Sequence, residues 1–173
     1  MCPNVINIIG HSGSGKTTLV RKLAEHFHCE ELGFSYAGRE LASEEAHSCR
    51  FNEINEYIYS CITAAVNRSS MVIVDGLASI DVVQTLESQG YSILTIYLET
   101  SYDERINRIS SREFCSTEDA LTIEKAKAKG KGAAGLNYVI SRADFTFDAT
   151  QSMEKLFDAV VLCINRFMQQ SAD

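Results

Sequence analysis

The stretch "IIGHSGSGKTTL", residues 8–19, constrains this chain more than any other. An apolar run from Val5 to Ile9 stops at Gly10. Six residues later the pattern turns helical, with Leu19, Val20, Leu23 and Phe27 recurring on one face between Lys16 and Phe27. A short, nearly continuous apolar strand feeding a helix through a glycine-rich turn belongs to a parallel sheet, in which both strand faces are buried. The turn itself reads Gly10-His11-Ser12-Gly13-Ser14-Gly15-Lys16-Thr17, which fits G-x-x-x-x-G-K-[ST] without a gap.

The chemistry of that pattern follows from its residue types. Glycines let the backbone curl so that successive N–H groups, including those at Ser12, Ser14, Lys16, Thr17 and Thr18, converge on phosphate oxygens. The positive end of the following helix adds to their field. Lys16 supplies a point charge to the outer phosphates, an interaction of about 4 kcal/mol per unit charge pair at 4 Å and an effective dielectric near 20. The Thr17 hydroxyl suits Mg²⁺. A nucleoside triphosphate, ATP with Mg²⁺, is the expected ligand. His11 occupies a free position of the pattern and reads as a solvated loop residue.

The rest of the chain continues the alternation. Gly33 to Tyr36 reads as a weak second strand, Asn52 to Arg68 as a helix and "MVIVD" (71–75) as a buried strand ending in an acid. Asp81 to Ser88 reads as a helix, 91–98 as a strand and Tyr102 to Ile109 as a helix. "DFTFD" (144–148) is a short strand, and Ser152 is placed to cap a final helix. Strands alternating with helices predict an α/β fold of three α/β/α layers around a five-stranded parallel sheet, with a helical lid. Ligands of such sheets bind beyond the carboxyl ends of the strands, where both the glycine turn and Asp75 fall. Asp75 is therefore a candidate to hold Mg²⁺ with Thr17 or to accept a proton from an attacking hydroxyl.

Composition narrows the partners. The 173 residues carry a formal net charge of −7, which argues against nucleic acid or an anionic membrane as a partner. The six cysteines include no C-x-x-C pair, and no apolar run is long enough to span a bilayer. The expectation is a single cytosolic domain over 1–173 with free thiols. Within it, 37–68 would bind the phosphoryl acceptor and 113–135 would form the lid. "KAKAKGKGAAG" (125–135) spaces its lysines by two, off any single helix face, and reads as a solvated, flexible part of that lid.

Two resemblances refine the chemistry. The loop with Thr17-Thr18-Leu19 resembles that of the small GTP-binding adaptors of molybdenum-cofactor synthesis, over about 20 residues. Farther on, Arg108-Ile109-Ser110-Ser111-Arg112-Glu113 followed by Ser116-Thr117-Glu118-Asp119-Ala120 resembles the R-L-x-x-R-D-x-x-S-x-E-E-A segment of dephospho-coenzyme A kinases. Its shorter core resembles nucleoside-monophosphate kinases such as adenylate and cytidylate kinases. The resemblance implies that Arg108 lies against the nucleotide base and Arg112 reaches the transferred phosphate. Four residues apart on a helix, the two can act together, and planar guanidinium groups suit both tasks. "ISRADFTFDATQSMEKLFDAVV" (140–161) is similar to the ending of the same group, in which residues near 148–152 flank the adenine. "VIVDGLAS" (72–79) resembles a strand of nucleotide-kinase-like proteins.

The acceptor is less marked. "FSYAGRELASEEA" (34–46) has no aspartate where dephospho-coenzyme A kinases carry one, and Ile123 stands where they carry a lid arginine. Arg39, Glu40 and Arg50 fall in the segment where monophosphate kinases bind their acceptor and are candidate ligands. The expected activity is transfer of the γ-phosphate to a nucleotide or nucleotide-like metabolite. Two alternatives stand beside it: a shikimate- or gluconate-type kinase acting on a hydroxyl, with Asp75 or Glu40 as base, and a nucleotide-binding adaptor with slow hydrolysis.

Overall fold

The computed structural model describes residues 4–34 and 48–170. Five strands, β1 (Val5–Ile9), β2 (Glu30–Gly33), β3 (Val72–Asp75), β4 (Ile93–Glu99) and β5 (Phe145–Asp148), form one parallel sheet in the order β2-β3-β1-β4-β5. The described helices are α1 (Lys16–Phe27), α2 (Ser48–Ser69), α3 (Ile80–Ser88), α4 (Tyr102–Glu113), α5 (Thr117–Ala134), α6 (Leu136–Ser141) and α7 (Met153–Gln170).

Alternation along the strands sorts the core into two layers. Val5 and Ile9 of β1, with Val72 and Val74 of β3, pack under α2, α3 and α6 through Ile58, Ile62, Val82, Leu86 and Leu136. Ile6 and Ile8, with Ile73, Leu94, Ile96 and Leu98, face α1 and α7 through Leu19, Leu23, Leu156, Val160 and Ile164. Every residue of β1 is buried because a helix layer covers each face of the sheet. β1 thus leads to α1 on one face while its neighbour β3 leads to α3 on the other. The crevice between their carboxyl ends is the place where such sheets bind ligands.

Where periodicity is strong, the sequence reading and the structure coincide: β1 and α1 have the expected bounds. The second strand lies earlier than expected, at Glu30–Gly33, because it is an edge strand with alternating exposure that pairs only with β3. α4 runs one turn past Ile109 to Glu113, and Phe114 closes it in the left-handed region at φ 51°. The lysine-rich segment, expected as a flexible part of a helical lid, is regular helix. It is the body of α5, begun by a capping box in which Ser116 Oγ accepts from the Asp119 N–H while Asp119 accepts from the Ser116 N–H.

Candidate active site

Six residues, 10–15, carry the chain from the end of β1 back into α1, and two of the glycines explain how. Gly13 has φ 83°, and a Cβ there would lie 2.6 Å from the Arg105 carbonyl oxygen, so the loop presses on the first turn of α4. Gly15, at φ 90°, takes the N-cap position of α1 without a side chain in the way of its amides. The turn therefore presents backbone toward the mouth of the crevice, where Ser12 is half-buried and Thr18 is exposed in the first turn of α1.

Lys16 folds back over this turn. Its Nζ donates to the His11 carbonyl at 2.9 Å and to Ser14 Oγ at 3.3 Å, and the residue is only 8% exposed. Burial, reinforced by the charge of Lys131, holds its pKa well below the ordinary lysine value, with Asp75 opposing the shift. Thr17 Oγ1 donates to Asp75 Oδ2 at 2.5 Å, so the hydroxyl and carboxylate that the sequence marks for a metal lie together. His11, read from the sequence as solvated, is half-buried. Its pKa is lowered by burial and by the Arg105 and Lys131 charges.

Asp75 owes its position to a residue that the motifs do not include. Asn7, fully buried in the middle of β1, donates from Nδ2 to the Leu77 carbonyl at 3.0 Å and accepts the Leu77 N–H at 3.1 Å. The Gly76 N–H donates to the Ile8 carbonyl at 2.9 Å. These bonds extend the β1–β3 pairing past the strand end and fix the turn that carries Asp75. A buried amide that satisfies both partners in this way stabilises, whereas either partner alone would be left a costly orphan.

The two arginines of α4 differ. Arg108 donates to Glu104 Oε1 at 2.8 Å and to the Ala149 carbonyl at 2.9 Å, and a Cβ on Gly15 would stand 3.9 Å from its Nη1. It therefore joins the start of α1 to the turn after β5, whose shape is set by Thr150 donating twice to Asp148. Those bonds hold the Asp148 carboxyl below its usual range. Arg112 is exposed and forks onto its neighbour Glu113, and its charge reaches Lys16. Arg39 and Glu40 lie outside the described residues. Arg50 sits in the first turn of α2, and its side chain is likewise outside them.

The far wall is α5, and here the sequence reading needs correction. Lys125 and Lys129 are exposed and Lys127 is half-buried, but Lys131 is not a solvated lysine. Its Nζ donates to the Gly10 carbonyl at 2.9 Å, and burial lowers its pKa, with Lys127 and Arg105 adding to the shift. Next to it, Arg105 and Glu124 form an ion pair at 2.7 Å with side-chain exposures of 9% and 7%, joining α4 to α5. Arg105 also lies 5.2 Å from the centre of the Tyr102 ring, while its Nε is buried without a partner among the described residues. None of these three side chains belongs to a recognisable pattern. The one signal was spacing: Ala120, Glu124 and Lys131 fall on one face of a helix.

A glycine loop with its lysine at the head of a five-stranded parallel sheet, faced by helix cations, makes this a P-loop kinase-like protein. More specifically, residues 5–133 match the family described as "AAA domain", and the chain belongs to that family. A cytidylate kinase of Pyrobaculum neutrophilum is 31% identical over 126 residues, a match covering 68% of this chain and 65% of the kinase. The chain thus spans just under two thirds of that relative. A UPF0200 protein of Pyrobaculum aerophilum is 26% identical over 168 residues, covering 88% of this chain and 92% of its own length. Among solved structures, shikimate kinase from Acinetobacter baumannii in complex with shikimate shares the fold, with a TM-score of 0.62 at 20% identity over 95% of this chain and 94% of that one.

Proposed function

We propose that the protein is an ATP- and Mg²⁺-dependent phosphotransferase that moves the γ-phosphate of ATP to a nucleotide or nucleotide-like small metabolite in the cytosol. The observation that carries this reading is the pairing at the loop. Lys16 donates to the His11 carbonyl and Ser14 Oγ, and Lys131 to the Gly10 carbonyl; burial lowers the pKa of both, and the Lys131 charge lowers that of Lys16 further. Two crowded, desolvated ammonium groups fit a polyanion, which is the partner that removes the penalty for both.

The remaining groups fit the same ligand. The loop amides and the start of α1 suit phosphate oxygens. Thr17 and Asp75 offer the hard oxygen donors that Mg²⁺ prefers. When bound, that ion would neutralise charge on the phosphate oxygens. Asp75 already engages Thr17, which favours a metal-holding role over that of a free base. Arg108, beside Gly15 and the Ala149 turn, is assigned to the nucleotide's base, and Arg112 to the phosphate in transfer. α5 would roof the site and keep water from competing with the acceptor. Arg39, Glu40 and Arg50 are assigned to the acceptor.

The test is to incubate the protein with ATP, Mg²⁺ and a panel of nucleoside monophosphates and hydroxylated metabolites, and to read the products by mass spectrometry. A phosphorylated monophosphate is the expected result. A phosphorylated sugar or hydroxy acid would move the reading to a hydroxyl kinase. If no acceptor gains phosphate and GTP binds more tightly than ATP, the kinase reading fails.

A further inference from the structure

α5 is registered against α4 and the phosphate loop at three points. Ala120, fully buried, packs in a small cluster with Ile106 and Ile109 of α4. One turn on, Glu124 accepts from Arg105. Two turns beyond that, Lys131 reaches the Gly10 carbonyl. The first two contacts are those of a docked helix. The third places a cation, on the same face, in the loop.

We infer that Lys131 is a second phosphate-binding lysine, which engages the terminal phosphate of the bound triphosphate from the side opposite Arg108. This rests on the reading of the loop as a triphosphate site. Two sets of contacts give the end of the site concerned. Gly10, which Lys131 holds, follows β1 beside the strand end of Asp75. Arg108 sits at the other end of the loop, against Gly15 and the Ala149 carbonyl. A cation at the Gly10 end is positioned for the outermost phosphate rather than for the base. Its neighbours agree with this: Lys16 lies beside it, and the Asp75 charge acts on it. Two desolvated ammonium groups on the neighbouring carbonyls of Gly10 and His11 are a poor arrangement by themselves, and an anion shared between the two makes it a favourable one.

The experiment is calorimetric titration of the full chain with ATP and with ADP, each with Mg²⁺, for wild type, Lys131→Gln, Lys131→Met and Lys131→Arg. The glutamine keeps a donor for the Gly10 carbonyl but removes the charge. It should retain the wild-type thermal midpoint and circular dichroism while binding ATP about tenfold to a hundredfold more weakly, with little change for ADP. The methionine should show the same selectivity, and the arginine should restore most of the ATP affinity. Unchanged ATP affinity in Lys131→Gln, or equal losses for ATP and ADP, would reduce Lys131 to a structural contact and overturn the inference. Lys16→Ala, titrated alongside, separates the two levels. If it too binds ATP like wild type, the triphosphate reading has failed; if it alone loses ATP, only the assignment of Lys131 has.

Discussion

The two sides of the candidate site are held by different forces. The loop side is an extension of the sheet: β1 is buried along its whole length, and Asn7 ties the turn after β3 to it from inside the core. The α5 side rests on a satellite cluster whose buried apolar members are Ile106, Ile109 and Ala120, together with one buried ion pair. Large apolar layers make a rigid half, and a small cluster with a paired charge makes a half that is cheaper to displace. A site that must admit a substrate and then exclude water needs both.

Substitutions can break this contrast. The largest effect is expected at Lys16 on the rigid side. Lys16→Ala should lower phosphoryl transfer by about 10²–10³-fold or more while the thermal midpoint stays roughly unchanged. Normal turnover in that variant would remove the loop from the chemistry. Next comes Glu124→Ala, which leaves the Arg105 charge buried and unpaired. The expected cost is about 3–5 kcal/mol, felt as faster hydrogen exchange in α5 amides while those of β1 and β3 stay protected. Adding Arg105→Met to Glu124→Leu should recover most of it. Equal exchange in helix and sheet would mean that the two sides form one cooperative unit.

Gly13→Ala tests the seam between the two sides. Its φ of 83° and the Arg105 carbonyl 2.6 Å from the new Cβ predict a loss of about 1–3 kcal/mol, read by chemical denaturation, together with weaker nucleotide binding. A wild-type denaturation curve would show that loop and α4 are not pressed together. The smallest effect is a slope with pH. Lys16 has its folded-state pKa depressed, so the folded protein binds fewer protons than the unfolded chain as pH approaches the ordinary value of 10.5. Stability should therefore rise with pH below that value, as the penalty for a buried charge is relieved. ATP should flatten the slope, and a Lys16→Met variant, which keeps every other titrating group, should lack its share of it. A wild-type slope in Lys16→Met would show that the buried charge is not its source.

Legibility followed how local the physics was. β1, the loop and α1 could be read to the residue because a strand, a turn needing positive φ and a helix follow each other within 23 residues, Val5 to Phe27. That Arg108 and Arg112 share one helix could be read because helical spacing of four is local as well, but their different partners, Glu104 and Ala149 against Glu113, could not. β2 was misplaced because an edge strand need not look apolar. The lysines of α5 were misread because their spacing of two says only that they diverge. Which of them faces the site depends on the register that Ala120 and Glu124 impose against α4, and that register is a matter of packing between two helices.

By itself, then, the sequence determined a parallel α/β core, a glycine loop leading into Lys16 and Thr17 at the start of α1, and Asp75 at the end of β3. These rest on apolar periodicity and glycine stereochemistry, both properties of short stretches. Tertiary structure alone decided that Asn7 would anchor Asp75, that Arg105 and Glu124 would be buried as a pair, and that Lys131 would reach Gly10. Each of those joins separate elements that only packing brings together, and desolvation gives a polar group its role only once packing has chosen its neighbours.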